Sequence, residues 1–147
     1  LNQETNFKIN KLFRKITKSK KKHKKVLNIK GRDFEIKNYY EGISRFDFRE
    51  LCDQNLGAED YLEILKVSNF IVIENIPQFN DVNSNQQHRF ITLIDIIYDK
   101  NIPIAVTVNQ NLSQFTSSQS LKSQFKRTIS RLHELTSLSI SNDSKIS

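Results

Sequence analysis

Apolar and polar positions change their period several times along the chain. Residues 2 to 17 place Phe7, Leu12, Phe13 and Ile16 at an approximate i, i+4 spacing among Lys and Arg, which predicts a helix. Residues 18 to 25, KSKKKHKK, have no apolar anchor. Such a run repels itself and reads as a solvated loop or tail. Val26, Leu27, Ile29, Phe34 and Ile36 then predict two short strands around a turn at Gly31-Arg32-Asp33. Phe48, Leu51 and Cys52 have helical spacing, Gly57 interrupts it, and Ala58 to Lys66 predicts a further helix.

The middle of the chain is the best organised. Phe70-Ile71-Val72-Ile73 is a continuous apolar run, as in a strand buried on both faces, and Pro77 ends it. Ser84 with Gln87 three positions on has the form of a capping box ahead of a helix from about Gln86 to Tyr98. Arg89, Thr92, Asp95 and Asp99 form one narrow polar stripe on that helix, so most of its surface should be buried. Ile102 to Val108 is a second β-rich run. Strand, helix and strand in this order make a βαβ unit with parallel strands and a right-handed crossover, so the fold expected is α/β. Residues 109 to 120 read as a polar loop, and Leu121, Phe125, Ile129, Leu132 and Leu135 mark a last amphipathic helix. Residues 136 to 147 are expected to fray.

Charge divides the chain. The net charge is +7, but residues 1 to 32 hold 12 Lys and Arg against Glu4 alone, a net of +11, and the remainder is mildly acidic. This gives three expected segments: a basic helix and linker over 1–32, an α/β region over 33–138 and a flexible tail over 139–147. The absence of Met, with Leu at position 1, leads to the expectation of a fragment or processed chain. One Cys excludes an internal disulfide framework, and no apolar run reaches the roughly 20 residues of a membrane span.

Few residues carry recognisable chemistry. There is no GxxxxGK[ST], GxGxxG, HExxH or GxSxG, and three Gly are too few for a glycine-rich phosphate cradle. His23, His88 and His133 lack ligand spacing, so no metal site is expected, and Cys52 reads as a buried thiol. Glu74 directly follows the buried strand, where an acid can orient water or metal; the alternative is a solvated strand-end carboxylate. Arg127 and Arg131 lie four apart on one helix and could grip a phosphate or carboxylate, or form an exposed face with a local Glu134–Arg131 pair. Arg45 is expected to stack on its neighbouring Phe residues or pair with Asp47. Lys20, Lys21, Lys22, Lys24 and Lys25 could bind an acidic protein, nucleic acid or anionic lipid by charge alone, or belong to a solvated linker.

Three stretches together resemble one family. Arg45 to Tyr61 (RFDFRELCDQNLGAEDY), Arg89 to Tyr98 (RFITLIDIIY) and Phe125 to Leu135 (FKRTISRLHEL) are similar in order and spacing to the C-terminal part of the ZapE family, the AFG-type P-loop ATPases. The resemblance covers roughly residues 5 to 138. It implies a βαβ core of P-loop NTPase type and a longer protein whose other half binds ATP and magnesium, with none bound by this chain alone. It also implies a division-ring partner such as FtsZ and a cytoplasmic location in a bacterium, or a role in protein quality control in the mitochondrial matrix. A homo-oligomer fits, and nucleic acid becomes an alternative partner. Arg131, within T-x-S-R-L, is the residue implied to act on nucleotide or at a subunit contact, with Arg127 second. The chain departs from the family pattern at Glu134-Leu135-Thr136-Ser137 and in the loop from Asn109 to Gln119.

Overall fold

Two tight turns with left-handed residues build the first part of the sheet. Lys30 and Gly31 have φ of 52° and 80°, and Glu41 and Gly42 have φ of 50° and 101°. Positive φ at both central residues is the type I′ pattern, whose twist suits a two-residue hairpin. The first turn joins β1 (His23–Ile29) to β2 (Arg32–Tyr40), and the second joins β2 to β3 (Ile43–Asp47), all antiparallel. This computed structural model describes residues 20–108 and 115–146 together with 11, 14, 15, 17 and 18, with side chains to Thr136. The helix expected over 2–17 therefore lies mostly outside the described residues, as does much of the 109–120 loop; Lys11, Arg14, Lys15 and Thr17 are helical.

From β3 onward the sheet is parallel. β3 pairs with β4 (Phe70–Ile76) and β4 with β5 (Ile104–Val108), so the strand order follows the chain. Four helices flank it: α1 (Phe48–Cys52), α2 (Ala58–Lys66), α3 (Ser84–Lys100) and α4 (Lys122–Ile146). The expected βαβ unit is β4–α3–β5. Asn101, at φ 60°, ends α3 in the left-handed conformation that asparagine tolerates.

The helices pack on one face of the sheet. Phe46, Ile71, Ile73 and Ile104 from the strands meet Tyr61, Ile64, Phe90, Ile94 and Leu132 from the helices. Phe79, fully buried in the β4–α3 connection, holds the centre of an aromatic group, with ring centroids 5.4 to 5.7 Å from Phe48, Phe90 and Phe125. Strand alternation puts Ile43, Phe70, Val72 and Ala105 on the other face as a smaller buried cluster.

Three expectations are corrected. His23 to Lys25 are not loop but the start of β1, because pairing with β2 and the contact of the His23 ring with Tyr39 (centroids 5.2 Å apart) outweigh lysine repulsion at an exposed edge. The strand thus lies on the N-terminal side of the boundary expected after residue 32. Ser84 and Gln87 form no capping box: Asn83 is the cap residue, and the Gln87 amide turns to the loop before α4, donating to Ser117 Oγ at 2.7 Å and accepting from Ser118 N at 3.1 Å. Residues 136 to 146, expected to fray, lie within the range of α4, where no Pro or Gly follows Lys122; this range does not bear on fraying. Arg45 pairs with Glu74, described next.

Candidate functional site

Ligands in parallel α/β sheets sit beyond the carboxyl ends of the strands. Here that edge carries a row of polar side chains from adjacent strands. Arg45 and Asp47 lie on β3, Glu74 and Asn75 on β4, and Thr107 on β5. Asp47 and Glu74 are opposite each other in the β3–β4 register.

Arg45 and Glu74 form a fork-to-fork ion pair. Arg45 Nε donates to Glu74 Oε1 at 2.5 Å and Nη2 donates to Oε2 at 2.9 Å. Both side chains are only about one fifth exposed, so the pair is shielded from solvent. With both oxygens engaged, Glu74 is a carboxylate held by its neighbour strand. Asp47 takes other partners: it accepts from Arg49 N at 3.0 Å and from Asn75 Nδ2 at 2.8 Å, while Glu50 accepts from Asp47 N and completes a capping box on α1. Partial burial pushes the Asp47 carboxyl up, but the hydrogen bonds from Asn75 and Arg49 outweigh it and hold it below the ordinary carboxylate value.

Asn75 ties the row together. Its φ is 64°, at an irregularity between Ile73 and Ile76 in the β4–β5 ladder. Its N–H, turned out of that ladder, donates to Thr107 Oγ1 at 2.8 Å, and its side chain reaches back to Asp47. Three strands are thereby joined at their carboxyl ends through one left-handed residue.

The C-terminal arginines sit elsewhere, on α4. Arg131 crosses to α3: Nη1 donates to Asp95 Oδ1 at 2.6 Å, and the guanidinium centre lies 4.7 Å from the Tyr98 ring centroid. A hydrogen bond to Glu134 raises the Tyr98 hydroxyl pKa, so Asp95, Arg131, Tyr98 and Glu134 form one strap between two helices. Arg127 is exposed and has no hydrogen-bond or ion-pair partner among the described residues. The structure therefore does not bring the two arginines to a shared ligand.

Two residues at the start of α3 do unforeseen work. Arg89 Nη1 donates to the Cys52 carbonyl at 3.1 Å, and Gln86 Nε2 donates to Asp53 Oδ1 at 3.0 Å. These bonds fasten α3 to the last turn of α1, satisfying a carbonyl that a five-residue helix leaves open. The opening Arg of RFITLID was the available signal. Cys52 itself is buried, and burial raises its thiol pKa far from the reactive range. Among the described residues no group of His, Cys, Asp and Glu is arranged to hold a metal ion. Of the lysines, Lys20 Nζ donates to the Glu41 carbonyl at 3.4 Å, Lys25 Nζ lies 5.9 Å from the Tyr39 ring centroid, and Lys21, Lys22 and Lys24 are exposed. No helix among the described residues is long and apolar enough to cross a membrane.

A mixed α/β sheet, parallel in its later strands and flanked by helices, fits the P-loop NTPase class of folds. The AFG1-like ATPase family matches residues 1–143, and the chain belongs to that family. It is 32% identical to lactation elevated protein 1 homolog B of Danio rerio over 111 residues, 76% of this chain and 22% of that protein. It is 23% identical to the cell division protein ZapE of Escherichia coli K12 over 137 residues, 93% of this chain and 36% of that protein. The chain thus spans about a fifth to a third of the curated relatives it matches. No solved structure matches it significantly.

Proposed function

We propose that this chain is the C-terminal α/β portion of an AFG-type ATPase, and that ATP and magnesium bind on another part of the polypeptide. In this reading it supplies a rigid scaffold and partner surfaces, and no phosphate loop. The observation that carries the reading is the state of Glu74. The acid at the strand end, where a water-orienting or metal-orienting carboxylate would act, is locked to Arg45 by two hydrogen bonds. The Arg131 strap to Asp95 supports it, leaving Arg127 as the arginine open to a phosphate or a neighbouring subunit.

The relatives' names support a finer reading. One relative is called a cell division protein. By the family resemblance read from the sequence, a bacterial protein would work in the cytoplasm on a division protein such as FtsZ, and a eukaryotic one in the mitochondrial matrix on protein quality control, in either case as a homo-oligomer. The test is phosphate release from ATP with magnesium by this chain alone. No turnover above buffer is expected, and a saturable rate would overturn the proposal.

A further inference from the structure

Among the described residues, the outer edge of β1 is open. β1 is an end strand of the sheet, and among the described residues no strand pairs with its other side. The type I′ turn at Lys30-Gly31 sets which groups face outward. In a two-residue hairpin the closing pair, Ile29 with Arg32, exchanges both hydrogen bonds, and so do Leu27 with Phe34 and Lys25 with Ile36. The N–H and C=O groups of Val26 and Asn28 therefore point away from β2, toward solvent. Lys24, Val26 and Asn28 are exposed, and Val26 keeps 54% of its surface. An exposed β-branched residue between two outward-facing peptide groups is a strand-pairing template.

Its charge selects the partner. Lys20, Lys21, Lys22, Lys24 and Lys25 lead into and along this strand, with Lys30 at its far end. The same lysines repel a second copy of the edge, since like charges facing each other across strands oppose pairing. They favour a segment rich in Asp and Glu. Nucleic acid would use the lysines but not the peptide groups, and the exposed positions of β1 hold no Phe, Tyr or Trp on which bases could stack.

We propose that β1 takes up an acidic extended polypeptide segment as a further strand, main chain to main chain at Val26 and Asn28, with its carboxylates against the lysines.

The probe is a fluorescent, acetylated peptide of about eight residues alternating Glu and Val, followed by anisotropy. Control peptides keep the charge but carry Pro at alternate positions. The chain should bind the alternating peptide and not the Pro form. Val26→Pro removes an outward N–H that the β1–β2 ladder does not use, and should weaken binding by about tenfold or more. Lys22→Glu with Lys24→Glu should weaken it as well. In the unmutated chain, saturating peptide should slow hydrogen exchange at Val26 and Asn28 and leave Leu27 unchanged, a readout independent of how Val26→Pro folds. The proposal is overturned if the peptide does not bind, if the Pro form binds equally, or if exchange at Val26 and Asn28 is unaffected. An oligothymidylate of equal charge that displaces the peptide while those amides stay unprotected would show binding by charge alone, and would also overturn it.

Discussion

Arg45 and Glu74, 29 residues apart in sequence, close a two-bond ion pair across the parallel strands β3 and β4 at 2.5 and 2.9 Å. Glu74→Gln keeps the shape but removes the charge, leaving a shielded guanidinium without its anion. The pair lies between the exposed case, worth under about 1 kcal/mol, and the buried case, where breaking one partner costs about 3–5. Urea unfolding should show a loss of about 1–2 kcal/mol. Arg45→Lys should lose nearly as much, because an ammonium cannot reproduce the fork. The double replacement Arg45→Met with Glu74→Leu should lose less than the two single changes together.

Asn75 is the second test of the strand-end row. Asn75→Ala keeps neither the ease of φ 64° nor the bond to Asp47, and should destabilise by about 1–3 kcal/mol. Asn75→Gly relieves the backbone but still lacks the side-chain bond, so its loss in thermal or urea unfolding should be smaller.

The pH dependence follows from Asp47. Its carboxyl is held below its ordinary value, which is about 3.9 in an unfolded chain. The unfolded state therefore binds the proton first. The Asp47 contribution is fully present above the unfolded value and is lost as pH falls through the lower, folded value. Asp47→Asn should flatten the acid limb of the stability curve, and carbonyl NMR of Asp47 should give a midpoint below that of an Asp in a short peptide.

Arg131→Lys tests the α3–α4 strap. The lysine retains a charge near Asp95 but gives up the planar contact on Tyr98. About 1 kcal/mol of stability should be lost in urea unfolding, and Tyr98→Leu should remove most of the difference between Arg and Lys at 131.

Cys52 should be inert. Burial holds it in the neutral thiol form, so reaction with a disulfide reagent should be far slower than for a thiol in a short peptide and should accelerate with unfolding.

Local pattern carried much of the fold. The apolar run at Phe70 to Ile73, the covered helix before Asn101 and the β-rich run ending at Val108 foretold β4, α3 and β5, because burial on both faces leaves a continuous signal. Gly57 and Lys66 bounded α2 correctly. What the sequence concealed was set by distant partners. His23 to Lys25 joined a strand through β2, and Gln87 left its capping role for Ser117 and Ser118, some 30 residues on. The candidate site was legible as residues and not as pairs: Glu74 stood where expected, but nothing local showed that Arg45 would hold it, or that Asp95 would hold Arg131.

The central claim is that this portion scaffolds an ATPase without itself holding nucleotide. Calorimetric titration of the chain with ATP and magnesium, beside its Glu74→Gln variant, tests it most directly. The account predicts no saturable heat in either. A saturable isotherm in the parent chain that Glu74→Gln abolishes would contradict it, and would return Glu74 to a nucleotide site.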